Sequence, residues 1–264
     1  MENGFHPGVS FPDYLAIDAV SASFINAYRR HPRRARYGNR EQSTAMQLGT
    51  MAHAAILEPD VFRRRYLPTD LPRRGTKLWA EAEAEAEAAG AELVKLQDYN
   101  EAVAIAHAVH SHPTLGPLLA DCPDRELTAY HDGKRCRFDA CNRETGLILD
   151  IKRTADARRF SSKAANLGYV RQAAWYSWIM AELADVQPRF LFGVVDVIDG
   201  IPDVMVYEPA PDDIQIALEE CKDTWYDIQE CYRTGTWPGY PVGITPLDMP
   251  AWYYASIDDS EGWE

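Results

Sequence analysis

The 264 residues are 46% hydrophobic, enough for a sizeable core, and their formal net charge of −13, taken alone, argues against nucleic-acid binding. No apolar run approaches the roughly 20 residues of a membrane span, and Met1 to Pro12 lacks a basic start followed by an apolar stretch, so a cytoplasmic protein is expected. Cys122, Cys136, Cys141, Cys221 and Cys231 are odd in number and form no CxxC pair, which argues against a disulfide framework and a zinc ribbon. The charge is unevenly spread. From Glu208 to Glu264 there are 13 Asp and Glu against 2 Lys and Arg, whereas Arg29 to Arg40 holds six arginines and no acid. An enzyme that is acidic outside and basic where a polyanion enters has such a distribution.

In chain order, residues 1–20 read as a loose start. Ser21 or Ser23 can cap a helix running to Arg30, which His31-Pro32 ends. A second helix is expected from Ala45 to Leu57, then an irregular stretch over 60–75. Trp79 to Tyr99 reads as helix, because the propensity of Ala and Glu outweighs their strand-like alternation. Another helix covers Glu101 to His110. Glu126–His131, Lys134–Cys141 and Leu147–Lys152 read as strands, joined at Asp132-Gly133 and over Arg143 to Gly146. A helix over Tyr169–Leu183, a hairpin of Phe190–Ile198 and Val204–Glu208 across Asp199-Gly200, and a helix over Asp212–Arg233 follow. The aromatic tail is expected to drape over the rest. Helices before and after a strand cluster predict one α/β domain, with a mainly helical part over 1–120, a catalytic sheet over 121–208 and a helix with tail over 209–264.

The chemistry centres on Asp139, Asp150 and Lys152. Alternate strand residues share a face, so Asp150 and Lys152 point together while Leu149 and Ile151 enter the core. If the two strands pair around the Arg143–Gly146 loop, Asp139 falls opposite Asp150. Two adjacent carboxylates repel unless a cation lies between them, and Mg²⁺, which prefers oxygen ligands, is the natural one. A lysine beside it can orient or deprotonate water and offset phosphorane-like charge. From the Asp/Lys spacing alone, a surface hairpin with a salt bridge is the favoured reading. His53, four residues after Gly49, is able to ligate a metal; Gln172 and Tyr176, also i,i+4, can bond phosphate or orient the lysine. Each taken singly is an ordinary helix feature.

The ordered set is specific. Leu48-Gly49-Thr50-Met51-Ala52-His53 with Leu57-Glu58-Pro59, Lys134-Arg135-Cys136-Arg137-Phe138-Asp139, Leu149-Asp150-Ile151-Lys152 and Gly168 to Tyr176 with its Gln-x-x-x-Tyr together resemble the RecB-like PD-(D/E)xK superfamily. The closer likeness is to the nuclease domain of RecE-type exonuclease VIII, related to phage lambda-type exonucleases. The resemblance implies a mixed central sheet flanked by helices. It implies that His53, Asp139, Asp150 and the Ile151 carbonyl bind Mg²⁺ or Mn²⁺, that Lys152 is the catalytic lysine, and that Gln172 and Tyr176 support the site. Glu58 and Glu126 match family positions without a firm role. Arg29, Arg30, Arg33, Arg34, Arg36 and Arg40 are the best basic patch, either gripping phosphates or forming a solvated or intersubunit cluster. The superfamily's iron–sulfur branch is excluded, because Cys136 and Cys141 lie inside the hairpin and Cys221 and Cys231 are ten apart in a helix.

The leading expectation is therefore a metal-dependent exonuclease on double-stranded DNA ends, running 5′–3′. It would leave single strand for an annealing protein and work as a homo-oligomeric ring, with no membrane association. The alternatives are a same-fold endonuclease or single-strand nuclease, and a catalytically idle DNA-end-binding or assembly module.

Overall fold

The computed structural model describes residues 1–38, 44–72 and 74–258. Strand β1 (Gly4–His6) and helix α1 (Phe11–Ala16) precede α2 (Ala22–Arg30). Ser21 caps α2, its hydroxyl accepting from the Phe24 amide. Pro32 then sits at the first position of a short α3 (Pro32–Tyr37), so His31-Pro32 restarts a helix rather than only ending one. Next come α4 (Thr44–Leu57), α5 (Pro59–Arg65), β2 (Tyr66–Thr69), α6 (Lys77–Ala88), β3 (Glu92–Lys95), α7 (Leu96–Ser111) and α8 (Leu115–Ala120). The hairpin strands are β4 (Asp124–His131), β5 (Lys134–Asn142) and β6 (Leu147–Arg153). A 3-10 turn over Ala157–Arg159 leads to α9 (Phe160–Leu167) and α10 (Tyr169–Ala184), then β7 (Arg189–Ile198), β8 (Ile201–Tyr207), α11 (Pro211–Thr234) and α12 (Ala251–Asp258).

Three expectations are corrected. The 1–20 stretch is not loose: β1 pairs antiparallel with β4 and becomes an edge of the sheet. The 60–75 stretch contains α5 and β2, and the predicted helix from Trp79 to Tyr99 is interrupted by β3 after Gly90. Gly90 has a positive φ of 72°, which stops α6 and frees the following residues to pair with β2 in a small parallel sheet.

The main sheet has six strands in the order β1-β4-β5-β6-β7-β8, and all neighbours are antiparallel except β6 and β7. It is thus mixed, with helices on both faces. One core cluster joins Ile25, Phe138, Ile148, Trp175, Ile179 and Ile228, so α2, α10 and α11 cover that face. The other joins Ile56, Ile105, Leu115, Leu149 and Ile151, so α4, α7 and α8 cover the opposite one. β6 is buried on both faces, as its parallel pairing with β7 demands. Gly193 of β7 is where the sheet admits Leu115 and Ile151 most closely: a Cβ there would lie 2.7 Å from one and 2.8 Å from the other.

Candidate active site

The site forms where β5 and β6 part. The ladder runs Asn142↔Leu147, Cys141↔Ile148 and Ala140↔Leu149, and continuing that register puts Asp139 opposite Asp150. There the backbone pairing stops, and the Ile151 amide donates instead to Asp139 Oδ2 at 2.7 Å. The carboxylate takes a ladder carbonyl's place. Alternation in β5 also slips at this point. Cys136 and Phe138 face α10, yet so does Cys141, with Ala140 turned towards α7. The β4–β5 register runs through this point unchanged, from Arg125↔Ala140 to Leu127↔Phe138, so both strands turn over together at Glu126 and Asp139.

Helix α4 brings His53 over the gap. Its Nε2 donates to the Ile151 carbonyl at 2.7 Å and its Nδ1 lies 3.6 Å from Asp139 Oδ2. On the other face, Gln172 of α10 donates from Nε2 to Asp150 Oδ1 at 2.7 Å. Asp150 is only 2% exposed, and its Oδ2 has no hydrogen-bond partner beyond the ion pair with Lys152. The Lys152 ammonium also lies 4.8 Å from the centre of the Tyr169 ring, a cation–π contact. Gly168, at φ 71°, ends α9 and starts α10, and so places Tyr169 and Gln172 on the site's side.

Charge is unbalanced here. Burial, partly countered by His53 and reinforced by Asp150 and Glu126, pushes the Asp139 carboxyl up to about 7. Burial alone would lower Lys152, but the Asp150 and Asp139 carboxylates outweigh it and hold the ammonium above its ordinary value. Glu58 at the start of α5 is raised by burial and by Glu126. Two clustered carboxylates, a buried Asp150 oxygen satisfied only by the Lys152 ammonium, an imidazole and a carbonyl make a donor set that fits a hard divalent cation such as Mg²⁺ or Mn²⁺.

The structure thus brings together His53, Asp139, Asp150, Ile151, Lys152 and Gln172. Tyr176 is one turn behind them. Its ring packs in the core edge-on to Phe138 at 5.5 Å and near Phe190, and burial raises its hydroxyl well above the ordinary value. The arginines lie elsewhere. Arg29 pairs with Glu220 at 3.0 Å, Arg30 donates to the Asn166 carbonyl, and Arg34 and Arg36 lie over Tyr240, Tyr232 and Trp237. Arg33, also exposed, donates its amide to Pro238. Arg40 is outside the described residues. Trp237 packs against Phe24 and Tyr28, but residues 238–254 are exposed, Val242, Ile244 and Trp252 among them, so beyond Trp237 the tail does not drape over the rest as expected.

Two residues near the site lacked an assigned role in the sequence. Tyr169 carries no motif signal, since its contact with Lys152 depends on the reversal at Gly168. Glu126 does carry one: a two-residue turn at Asp132-Gly133 pairs His131 with Lys134, and counting back sets Glu126 against Asp139. His53, Glu126 and Asp139 each offer a ligand atom within 4.8 Å of the others.

A mixed sheet with an Asp, an Asp-x-Lys and a helix-borne Gln converging where two strands separate defines the PD-(D/E)xK nuclease fold. The chain belongs to the family described as a PDDEXK-like domain of unknown function (DUF3799), whose model matches residues 21–244. Among solved structures it is similar to a "Putative exonuclease" from Eubacterium rectale, at 13% identity and a TM-score of 0.63 over 100% of both chains. It also matches a phage related exonuclease from Haemophilus somnus 129PT, at 13% identity and a TM-score of 0.33 over 80% of this chain and 95% of that one. A search of curated proteins gave no significant match. No helix among the described residues is long and apolar enough to cross a membrane.

Proposed function

We propose that the protein is a divalent-metal-dependent DNA exonuclease that degrades duplex from its ends, 5′–3′, and leaves single strand for an annealing partner. The observation that carries the reading is the convergence of His53, Asp139, Asp150 and the Ile151 carbonyl beside the Lys152 ammonium. Those four would hold Mg²⁺ or Mn²⁺. When bound, the ion supplies Lewis acidity and a more acidic water for phosphodiester hydrolysis.

The remaining chemistry belongs to the chain. In the metal-free protein burial lowers Lys152 but Asp150 and Asp139 outweigh it, and the side chain is placed to act as a positive charge and donor towards the scissile phosphate. Gln172 fixes the Asp150 carboxylate through Oδ1, which leaves Oδ2 to the cations. Tyr176 serves beneath the site by packing on Phe138, next in sequence to Asp139. The exposed arginines of α2 and α3 supply phosphate contacts, and a homo-oligomeric ring would gather them around the duplex.

The test is degradation of an end-labelled linear duplex, with and without Mg²⁺, beside a closed circle and Lys152→Ala. Loss of linear DNA only with Mg²⁺, a spared circle, and a rate about 10²-fold or more lower in the variant is the expected result. A cut circle would replace the reading with an endonuclease, and no cutting with an idle DNA-binding module.

A further inference from the structure

We propose that Glu126 is a ligand of the divalent cation, joining His53 and Asp139 from the β4 side, with Arg137 as its counter-ion in the metal-free protein. The inference rests on the metal-dependent reading above and extends its ligand set by a residue on a third strand.

Register comes first. Leu127↔Phe138 and Arg125↔Ala140 bracket Glu126 and Asp139, so Glu126, Asp139 and Asp150 fall in one row across β4, β5 and β6. Backbone strain is the second observation. Glu126 has a φ of 49°, in the left-handed region that a glutamate avoids, and it lies opposite the slip in β5. A bare ion pair with Arg137 needs no such distortion, because regular strands already place cross-strand side chains together. Strained positions of this kind cluster where a side chain must be aimed at a ligand.

The third observation is which oxygens are free. Asp150 is engaged at both oxygens, by Gln172 and by Lys152. Asp139 Oδ2 holds the Ile151 amide. Glu126 is bonded through Oε2 to Arg137 Nε at 2.5 Å, and among the described residues its other oxygen makes no hydrogen bond. Arg137 does not depend on that pair, since it also donates to the Val9 carbonyl at 2.6 Å and to Thr128 Oγ1 at 3.3 Å. Ligand atoms of His53, Glu126 and Asp139 lie within 4.8 Å of one another, all half-buried, which is close enough for one cation to enter between them. One imidazole and two carboxylates suit Mn²⁺ at least as well as Mg²⁺.

The experiment is titration of the metal-free protein with MnCl₂, counting free Mn²⁺ by electron paramagnetic resonance, with no DNA present. Glu126→Gln is expected to weaken Mn²⁺ binding about tenfold or more. Two further variants separate ligation from bulk charge and from misfolding. Glu126→Asp keeps the charge but withdraws the carboxylate by one methylene. Glu126→Gln combined with Arg137→Gln restores the charge balance and leaves no ion unpaired. Both should bind Mn²⁺ as weakly as Glu126→Gln if Glu126 is a ligand. A double variant that regains wild-type affinity would overturn the proposal, as would a wild type that binds no Mn²⁺. A wild type that binds Mn²⁺ through Glu126 yet cleaves no DNA would overturn the nuclease reading and leave this one standing.

Discussion

Asp139 is the residue whose protonation most depends on what surrounds it. Its carboxyl is pushed to about 7 by burial and by its acidic neighbours, against a value of 3.8 when exposed. Between those two values the metal-free folded state holds a proton that the unfolded state has released. Stability is then greatest below the unfolded value and is lost as pH rises through the folded one. Thermal melts in a chelator should show the wild type losing stability from about pH 4 to pH 7. Asp139→Asn cannot ionise and should escape that loss. At pH 8 it should melt higher than the wild type, by on the order of 1 kcal/mol or more, since one pKa unit is worth about 1.4 kcal/mol. At pH 4 the advantage should vanish. Equal melts at both pH values would mean that Asp139 is ionised in the metal-free fold. The same carboxylate that costs stability without a cation is the one a cation would repay, so adding Mn²⁺ should raise the wild type and not the variant.

At the scale of elements, the β5–β6 hairpin sets the register on which the site depends, and Gly146 closes it. Gly146 has a φ of 76°, its amide bonds back to the Asn142 carbonyl, and its own carbonyl accepts from Arg189 of β7. A Cβ at that position would lie 2.7 Å from the Gln187 carbonyl oxygen. Gly146→Ala should therefore destabilise by about 2–3 kcal/mol through left-handed strain and a backbone clash, read as a shifted denaturation midpoint with an unchanged slope. The turn and register of this hairpin were legible in the sequence, as were the Asp132-Gly133 and Asp199-Gly200 turns and a helix cap at Ser21 or Ser23, because each is governed by local chemistry. What escaped was governed from a distance. Strands β1, β2 and β3 have three or four residues each, and Pro68 within β2 gives no strand signal. They exist because β4 or a partner strand offers hydrogen bonds, and β3 also borrows alanine- and glutamate-rich flanks that favour helix. In the site, the Asp139–Asp150 register followed from loop length, while Tyr169 over Lys152 and the positive φ of Glu126 followed from tertiary packing that no spacing encodes.

For the whole molecule, the question is how a chain of net charge −13 holds a polyanion. The acid is concentrated on α11 and beyond, and part of it is already spent on the protein's own arginines. Glu220 pairs with both Arg29 and Arg171. Arg29 is thus neutralised before any DNA arrives. Arg30, Arg33, Arg34 and Arg36 are exposed, and among the described residues none of the four has a carboxylate within ion-pair distance. Each phosphate neutralised by a cationic side chain contributes about 0.9 to the slope of log affinity against log salt. If the face formed by α2 and α3 tracks the backbone, changing Arg30, Arg33 and Arg34 together to Gln should lower that slope by up to about 3, roughly one per arginine that contacts phosphate. Arg29→Gln should change it little, since Arg29 is already neutralised by Glu220, which Arg171 still holds in the variant. Duplex binding measured across salt, with Ca²⁺ in place of Mg²⁺, gives the slopes directly. An unchanged slope in the triple variant would move the entry path to another face and leave these arginines to hold the tail, where Arg34 and Arg36 already lie over Tyr240, Tyr232 and Trp237.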